Sequence, residues 1–159
     1  MRYLLFDNMS ECSEQAVQAM LPLVSEQRRE QASKFRHVFG RFACLKSYVM
    51  LAELMHWTPA EAIGARFNYN EYGQPLLTSE YIQRTATPFF SISHCRHAIA
   101  VAVSESPVGI DVESIRNADD ALIEHTMNAQ ELAYIRQSKD PSVAFIELWT
   151  RKESFLTRK

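Results

Sequence analysis

Apolar positions change their spacing several times along the chain. Arg2 to Phe6 reads as a short opening strand, after which Val17, Met20, Leu21 and Val24 recur at intervals of three and four, as on one face of a helix. Pro22 ends or bends that helix. A strongly charged segment runs from Ser25 to His37, a pattern that a solvated helix face also satisfies. Beyond it Leu45, Tyr48, Val49, Ala52 and Met55 form an apolar stripe on a longer helix from about Arg41 to His56. Thr58-Pro59-Ala60-Glu61 is a capping box with proline at the first helical position, so a short helix starts there and stops near Gly64.

The pattern then turns to strands. Arg66 to Tyr69 and Gln74 to Leu77 flank a turn at Asn70-Glu71-Tyr72-Gly73, and Phe89 to Ser93 and Ala98 to Val103 flank His94-Cys95-Arg96-His97. Val108 to Val112 follows the Glu105-Ser106-Pro107 turn, which completes a predicted antiparallel meander. Helical spacing returns over Asp119 to Met127, Asn128-Ala129-Gln130-Glu131 is a second capping box, and a last helix begins near Ser142. Helices, then strands, then helices predict an α+β fold with helices packed on a mainly antiparallel sheet. The division expected is a first α+β half over residues 1–113 and the start of a second over 114–159, helices only. The strands that the last helix would cover do not follow it, so the second half reads as incomplete, and Phe145, Leu148 and Phe155 are expected to lack their cover. Self-association through that helix is one expected consequence.

Composition narrows the class. The 159 residues are 47% hydrophobic and 23% charged, enough to bury a core, and 17 Lys plus Arg against 19 Asp plus Glu give a net charge of −2. Nothing in that balance points to nucleic acid or an anionic membrane, and no apolar run approaches the roughly 18 residues of a membrane span. Three widely spaced cysteines, Cys12, Cys44 and Cys95, favour reduced thiols, and the N-terminus lacks a secretory pattern, so a cytoplasmic location is expected.

Three constellations could carry chemistry. In Val108-Gly109-Ile110-Asp111-Val112-Glu113 a strand would aim Asp111 and Glu113 to one side, two like charges best tolerated around a cation, although two solvated acids would satisfy the same spacing. In Trp149-Thr150-Arg151-Lys152-Glu153-Ser154 a buried Trp149 would fix the height of Glu153, with Lys152 one step around the helix; an ordinary helix surface is the alternative. In Phe90-Ser91-Ile92-Ser93-His94 a histidine stands just past a strand. Zinc at His94-Cys95-Arg96-His97 would need Cys12 and Cys44 without recognisable spacing, and the serine-hydrolase elbow, the P-loop and the dinucleotide glycine motif are absent.

Taken in order, with Glu71-Tyr72-Gly73-Gln74-Pro75 before them and the basic helix near Arg28 to Arg36, these motifs resemble those of 4′-phosphopantetheinyl transferases of the Sfp and AcpT-like group. The resemblance implies two similar α+β halves and transfer of phosphopantetheine from coenzyme A to a serine of an apo carrier protein. It implies Mg²⁺ held by Asp111, Glu113 and Glu153, with Glu153 also a base for the serine proton and Lys152 on the phosphates. It further implies His94 and a cation from the early helix, Arg28 or else Arg36 or Arg41, on the 3′-phosphate, Gln74 and Ser93 lining the nucleotide pocket, and carrier contacts from the helix of Ala118 to Met127 through Leu122, Ile123 and Met127. Thr157 stands where the family pattern has lysine. A shortened, catalytically dead module that still binds coenzyme A or carrier protein is the alternative.

Overall fold

A computed structural model describes residues 1–71, 75–83, 86–117 and 119–157. β1 (Arg2–Phe6), β5 (Ile99–Ser104) and β4 (Phe89–His94) form an antiparallel sheet in the order β1-β5-β4. The hairpin β2 (Phe67–Tyr69) and β3 (Pro75–Leu77) stands apart as a second sheet rather than joining one meander. The central strand β5 is buried at all six positions because both of its faces are covered. Ile99, Val101 and Val103 face Phe6, Leu4 and Arg2 on one side and His94, Ile92 and Phe90 on the other, and enter the main core. The alternate residues Ala100 and Ala102 face Leu5 and Tyr3, and Ser93 and Ser91, on the opposite side.

The main core is closed by α1 (Glu14–Met20), α2 (Glu26–Ser33) and α3 (Val38–Leu54). α3 lies against β1, β5 and both other helices and supplies Phe42, Leu45, Tyr48 and Leu51, each essentially inaccessible. Gly40 belongs to the close approach at its start: a Cβ there would stand 2.9 Å from the Phe35 Cβ and 2.7 Å from its ring. α3 ends in a Schellman motif, with the Trp57 N–H on the Ala52 carbonyl and the His56 N–H on that of Glu53, His56 taking φ 55°. The expected capping box opens α4 (Pro59–Gly64), where Thr58 and Glu61 exchange bonds. The short α5 (Ser79–Ile82) follows the β2–β3 hairpin.

Val108 to Val112 is not a strand. Its N–H groups turn to serine hydroxyls of β4 in place of backbone carbonyls, so no ladder forms. Three helices complete the chain: α6 (Asp120–Thr126), α7 (Ala129–Gln137), opened by the second capping box, and α8 (Pro141–Leu156). They share a small core of Met127, Ile135, Ala144, Phe145 and Ile146, on which Leu148 and Trp149 pack. Phe145 therefore has its cover from α7 and α8 themselves, whereas Phe155 is 70% exposed. Met127 is spent on this core, which leaves Leu122 as the exposed member of the expected carrier-contact trio. Among the described residues no helix is long and apolar enough to cross a membrane.

Candidate active site

The site is built on β4. Successive side chains of a strand point to opposite faces, so His94 turns toward the start of α3 while Ser91 and Ser93 turn to the far side of the sheet. The resemblance put His94 on the 3′-phosphate and Ser93 in the nucleotide pocket; the alternation turns the two to opposite faces of the sheet. Ala100 and Ala102 flank the two serines on β5 with side chains small enough for the chain after Pro107 to lie there, and Val108 is buried.

That chain carries the acids. The Ser91 hydroxyl accepts from the Ile110 N–H at 3.1 Å, and the Ser93 hydroxyl accepts from the Val112 N–H at 3.2 Å. Ser93 gives its own proton to Asp111 Oδ1 at 2.7 Å. Asp111 Oδ2 is buried and has no hydrogen-bond partner among the described residues. Leaving such an oxygen unsatisfied costs about 1–3 kcal/mol, more when it is charged, so the atom is suited to a cation or a strong donor. Glu113 follows, half-buried, and the next residue, Ser114, meets His97 Nδ1 at 2.8 Å. This contact ties the β4–β5 turn to the acid-bearing segment. Two hard carboxylates with open positions fit Mg²⁺, which usually takes one or two carboxylates together with substrate phosphate and water.

The third expected acid is elsewhere. Among the described residues no three His, Cys, Asp or Glu side chains are grouped so as to hold a metal ion, so Glu153 on α8 is not gathered with Asp111 and Glu113. Its half-buried side chain makes no hydrogen bond or ion pair among the described residues. Lys152 is turned to α6 and α7: its Nζ donates to the Thr126 carbonyl at 2.8 Å and pairs with Glu131 Oε2 at 2.7 Å. That bond, with the one from the Asn128 N–H, holds the Glu131 carboxyl below its ordinary range. Trp149 lies tilted on Phe145, ring centres 6.0 Å apart, and is half-buried.

His94 lines a groove of about 680 Å³ with Met9, Cys12, His37, Phe39, Cys95 and Arg96, its ring edge-on to Phe39. Arg36, exposed, immediately precedes His37 at the open start of α3. These groups give the groove the character of an anion site beside an aromatic wall. Burial and the neighbouring Glu14 push the Cys12 thiol above its usual range, which keeps it protonated. A second cavity of about 340 Å³, between β2–β3, β4 and Thr157, has no charged residue in its lining among the described residues.

Arg28 is in the core. Its guanidinium stands 5.2 Å from the Tyr48 ring centre and 5.9 Å from that of Phe67, with Nη1 on Gln31 and Cys44 and Nη2 buried without a partner among the described residues. Of the three arginines expected at the 3′-phosphate Arg36 is exposed, while Arg41 is tied to Glu14 and to the Phe35 and Arg36 carbonyls. Gln74 lies outside the described residues. Sequence reasoning missed Ser91, His97 and Ser114. Serines two apart on one strand opposite alanines on the next were the available sign of the first; nothing local announced the His97–Ser114 bond.

Comparison with known proteins points one way. The profile of the 4′-phosphopantetheinyl transferase superfamily matches residues 107–156, which include both the acid-bearing segment and α8. The 4′-phosphopantetheinyl transferase psf-1 of Bacillus pumilus is 27% identical over 145 residues, 88% of this chain and 59% of that protein. The chain is similar to 4′-phosphopantetheinyl transferases of the Sfp-like group. Another relative, the 4′-phosphopantetheinyl transferase gsp of Aneurinibacillus migulanus, is 34% identical over 92 residues, 57% of this chain and 36% of that one. Sfp of Bacillus subtilis (strain 168) is 23% identical over 150 residues, 92% of this chain and 65% of Sfp. The chain thus spans less than two thirds of the length of these phosphopantetheinyl transferases, and its α+β architecture is consistent with that superfamily.

Proposed function

We propose that this chain transfers the 4′-phosphopantetheine group of coenzyme A to a serine of an apo acyl, polyketide or peptidyl carrier protein, with Mg²⁺, releasing adenosine 3′,5′-bisphosphate. The observation that carries the reading is Asp111, one carboxylate oxygen tied to Ser93 and the other buried with no partner, beside Glu113 on a segment anchored to β4. Asp111 and Glu113 would hold the Mg²⁺, which when bound neutralises the pyrophosphate and stabilises charge on the departing phosphate. His94 binds the 3′-phosphate at the groove it lines with His37 and Arg96, Arg36 standing next to His37 in the chain. Glu153 accepts the serine proton, directly or through water, once α8 brings it to the phosphates. Lys152 reaches the phosphates after leaving Glu131. The exposed Leu122 on α6 meets the carrier. Three free cysteines and a nucleotide thiol as donor suit a reducing cytoplasm.

Incubation with coenzyme A, Mg²⁺ and an apo carrier protein, followed by weighing of the carrier, tests the reading. Transfer adds the mass of phosphopantetheine, and Glu153→Gln and Asp111→Asn abolish the gain. A second reading, a module that binds coenzyme A or carrier without turnover, is favoured by Lys152 being held by Glu131 and by Glu153 standing apart from the other two acids. Tight coenzyme A binding with no change in carrier mass supports it.

A further inference from the structure

We infer that Ser91 and Ser93 form a rail that registers the acid-bearing segment on β4, and that Ser93 is a positioning residue that orients Asp111 toward a cation. The inference rests on the metal part of the transferase reading. β4 is an edge strand of its sheet. A chain laid over the face of a sheet meets side chains rather than the backbone ladder, so its register is set by the groups that project there. Here both rungs are hydroxyls, and they clamp the residues on either side of Asp111: Ile110 by Ser91 and Val112 by Ser93. A serine hydroxyl has one proton and can accept twice. Ser93 accepts from Val112 and spends its proton on Asp111 Oδ1, so backbone and carboxylate are fixed by the same atom. The remaining oxygen, Oδ2, is thereby held buried and without a donor. Ser91 is itself only 7% exposed and touches no carboxylate, so it supplies register alone. The assignment separates two roles that one motif, Phe90-Ser91-Ile92-Ser93-His94, carries side by side: the serines hold the acid-bearing segment and His94 serves the groove on the other face.

The test measures Mn²⁺ binding to the purified chain by the resonance of free Mn²⁺, without coenzyme A or carrier, and repeats it in competition with Mg²⁺. Wild-type protein binds, Ser93→Ala weakens binding about 10–100-fold, and Ser93→Thr, which keeps the hydroxyl, restores it to within about threefold. Ser91→Ala lowers the melting temperature comparably to Ser93→Ala but weakens Mn²⁺ far less. Should Ser93→Ala not fold, Ser93→Cys keeps the volume with only a weak donor and the same loss is expected. Equal weakening by Ser91→Ala and Ser93→Ala, or wild-type affinity in Ser93→Ala, overturns the assignment while leaving the metal site standing. Absence of Mn²⁺ binding in the wild type overturns both.

Discussion

The chain's two apolar cores differ greatly in size, and its expected chemistry is divided between them. The larger draws on residues from Val17 to Val103, with Phe42, Leu45, Tyr48, Leu51, Ile99, Val101 and Val103 essentially out of reach of solvent. The smaller consists of five buried residues, among which only Phe145 is a large side chain fully enclosed. At roughly 1.5–3 kcal/mol for each large side chain buried, the first can fix a strand to within a hydrogen bond, and the second holds three helices with little to spare. Asp111 is registered on the larger core through β4. Lys152 and Glu153 ride on the smaller one, where Lys152 pairs with the Glu131 carboxylate. The acids anchored to the sheet are preorganised, and the Lys152 and Glu153 side chains depend on a helix whose own packing is slight.

Four measurements would break or sharpen that contrast. Phe145→Ala removes the centre of the smaller core and is expected to cost about 3–5 kcal/mol there. Hydrogen exchange should then reach the unprotected limit across α6, α7 and α8 while β5 stays protected; loss of protection in β5 at the same step would show one cooperative core. Gly40→Ala, ordinarily stabilising in a helix, should instead destabilise the larger core by about 1–3 kcal/mol because the new methyl meets Phe35. A rise in melting temperature would mean that Phe35 moves aside freely. Asn128→Ala should cost about 1 kcal/mol by uncapping α7, with the loss confined to the smaller core.

The smallest effect concerns pH. Glu131 is held below its ordinary range by the bond from Lys152 and by the Asn128 N–H. A depressed folded value contributes stability that is fully present above the unfolded carboxyl value, near 4.3, and is lost as pH falls through the folded value. The melting-temperature advantage of wild type over Glu131→Gln should therefore be flat from pH 7 to about 5 and shrink below that. An advantage that grows on acidification would reverse the sign and remove the ion pair from the account.

Much of the helical structure was legible from local rules. Thr58 with Glu61 and Asn128 with Glu131 declare their capping boxes in four letters each, and both form. The apolar stripe from Leu45 to Met55 places α3 because helix periodicity is a property of neighbours in sequence. The predicted strand at Val108 to Val112 failed for the complementary reason. Its composition is strand-like, but a strand exists only if a partner offers a ladder, and β4 offers hydroxyls. Arg28 shows the same limit: a basic residue in a charged helix reads as a surface cation, and only the arrival of Tyr48 and Phe67 from other elements turns that helix face inward.

By itself the sequence determined the α+β class, the helix starts and the residues that bear the family's motifs, since caps, periodicity and motif order are written within a few neighbouring positions. Only the tertiary structure decided that Ser93 serves Asp111 while His94 faces another groove, that Arg28 is core, and that Lys152 rests on Glu131. Each of these depends on which groups from distant parts of the chain meet across a packed interior, where a few ångströms separate a bond from none.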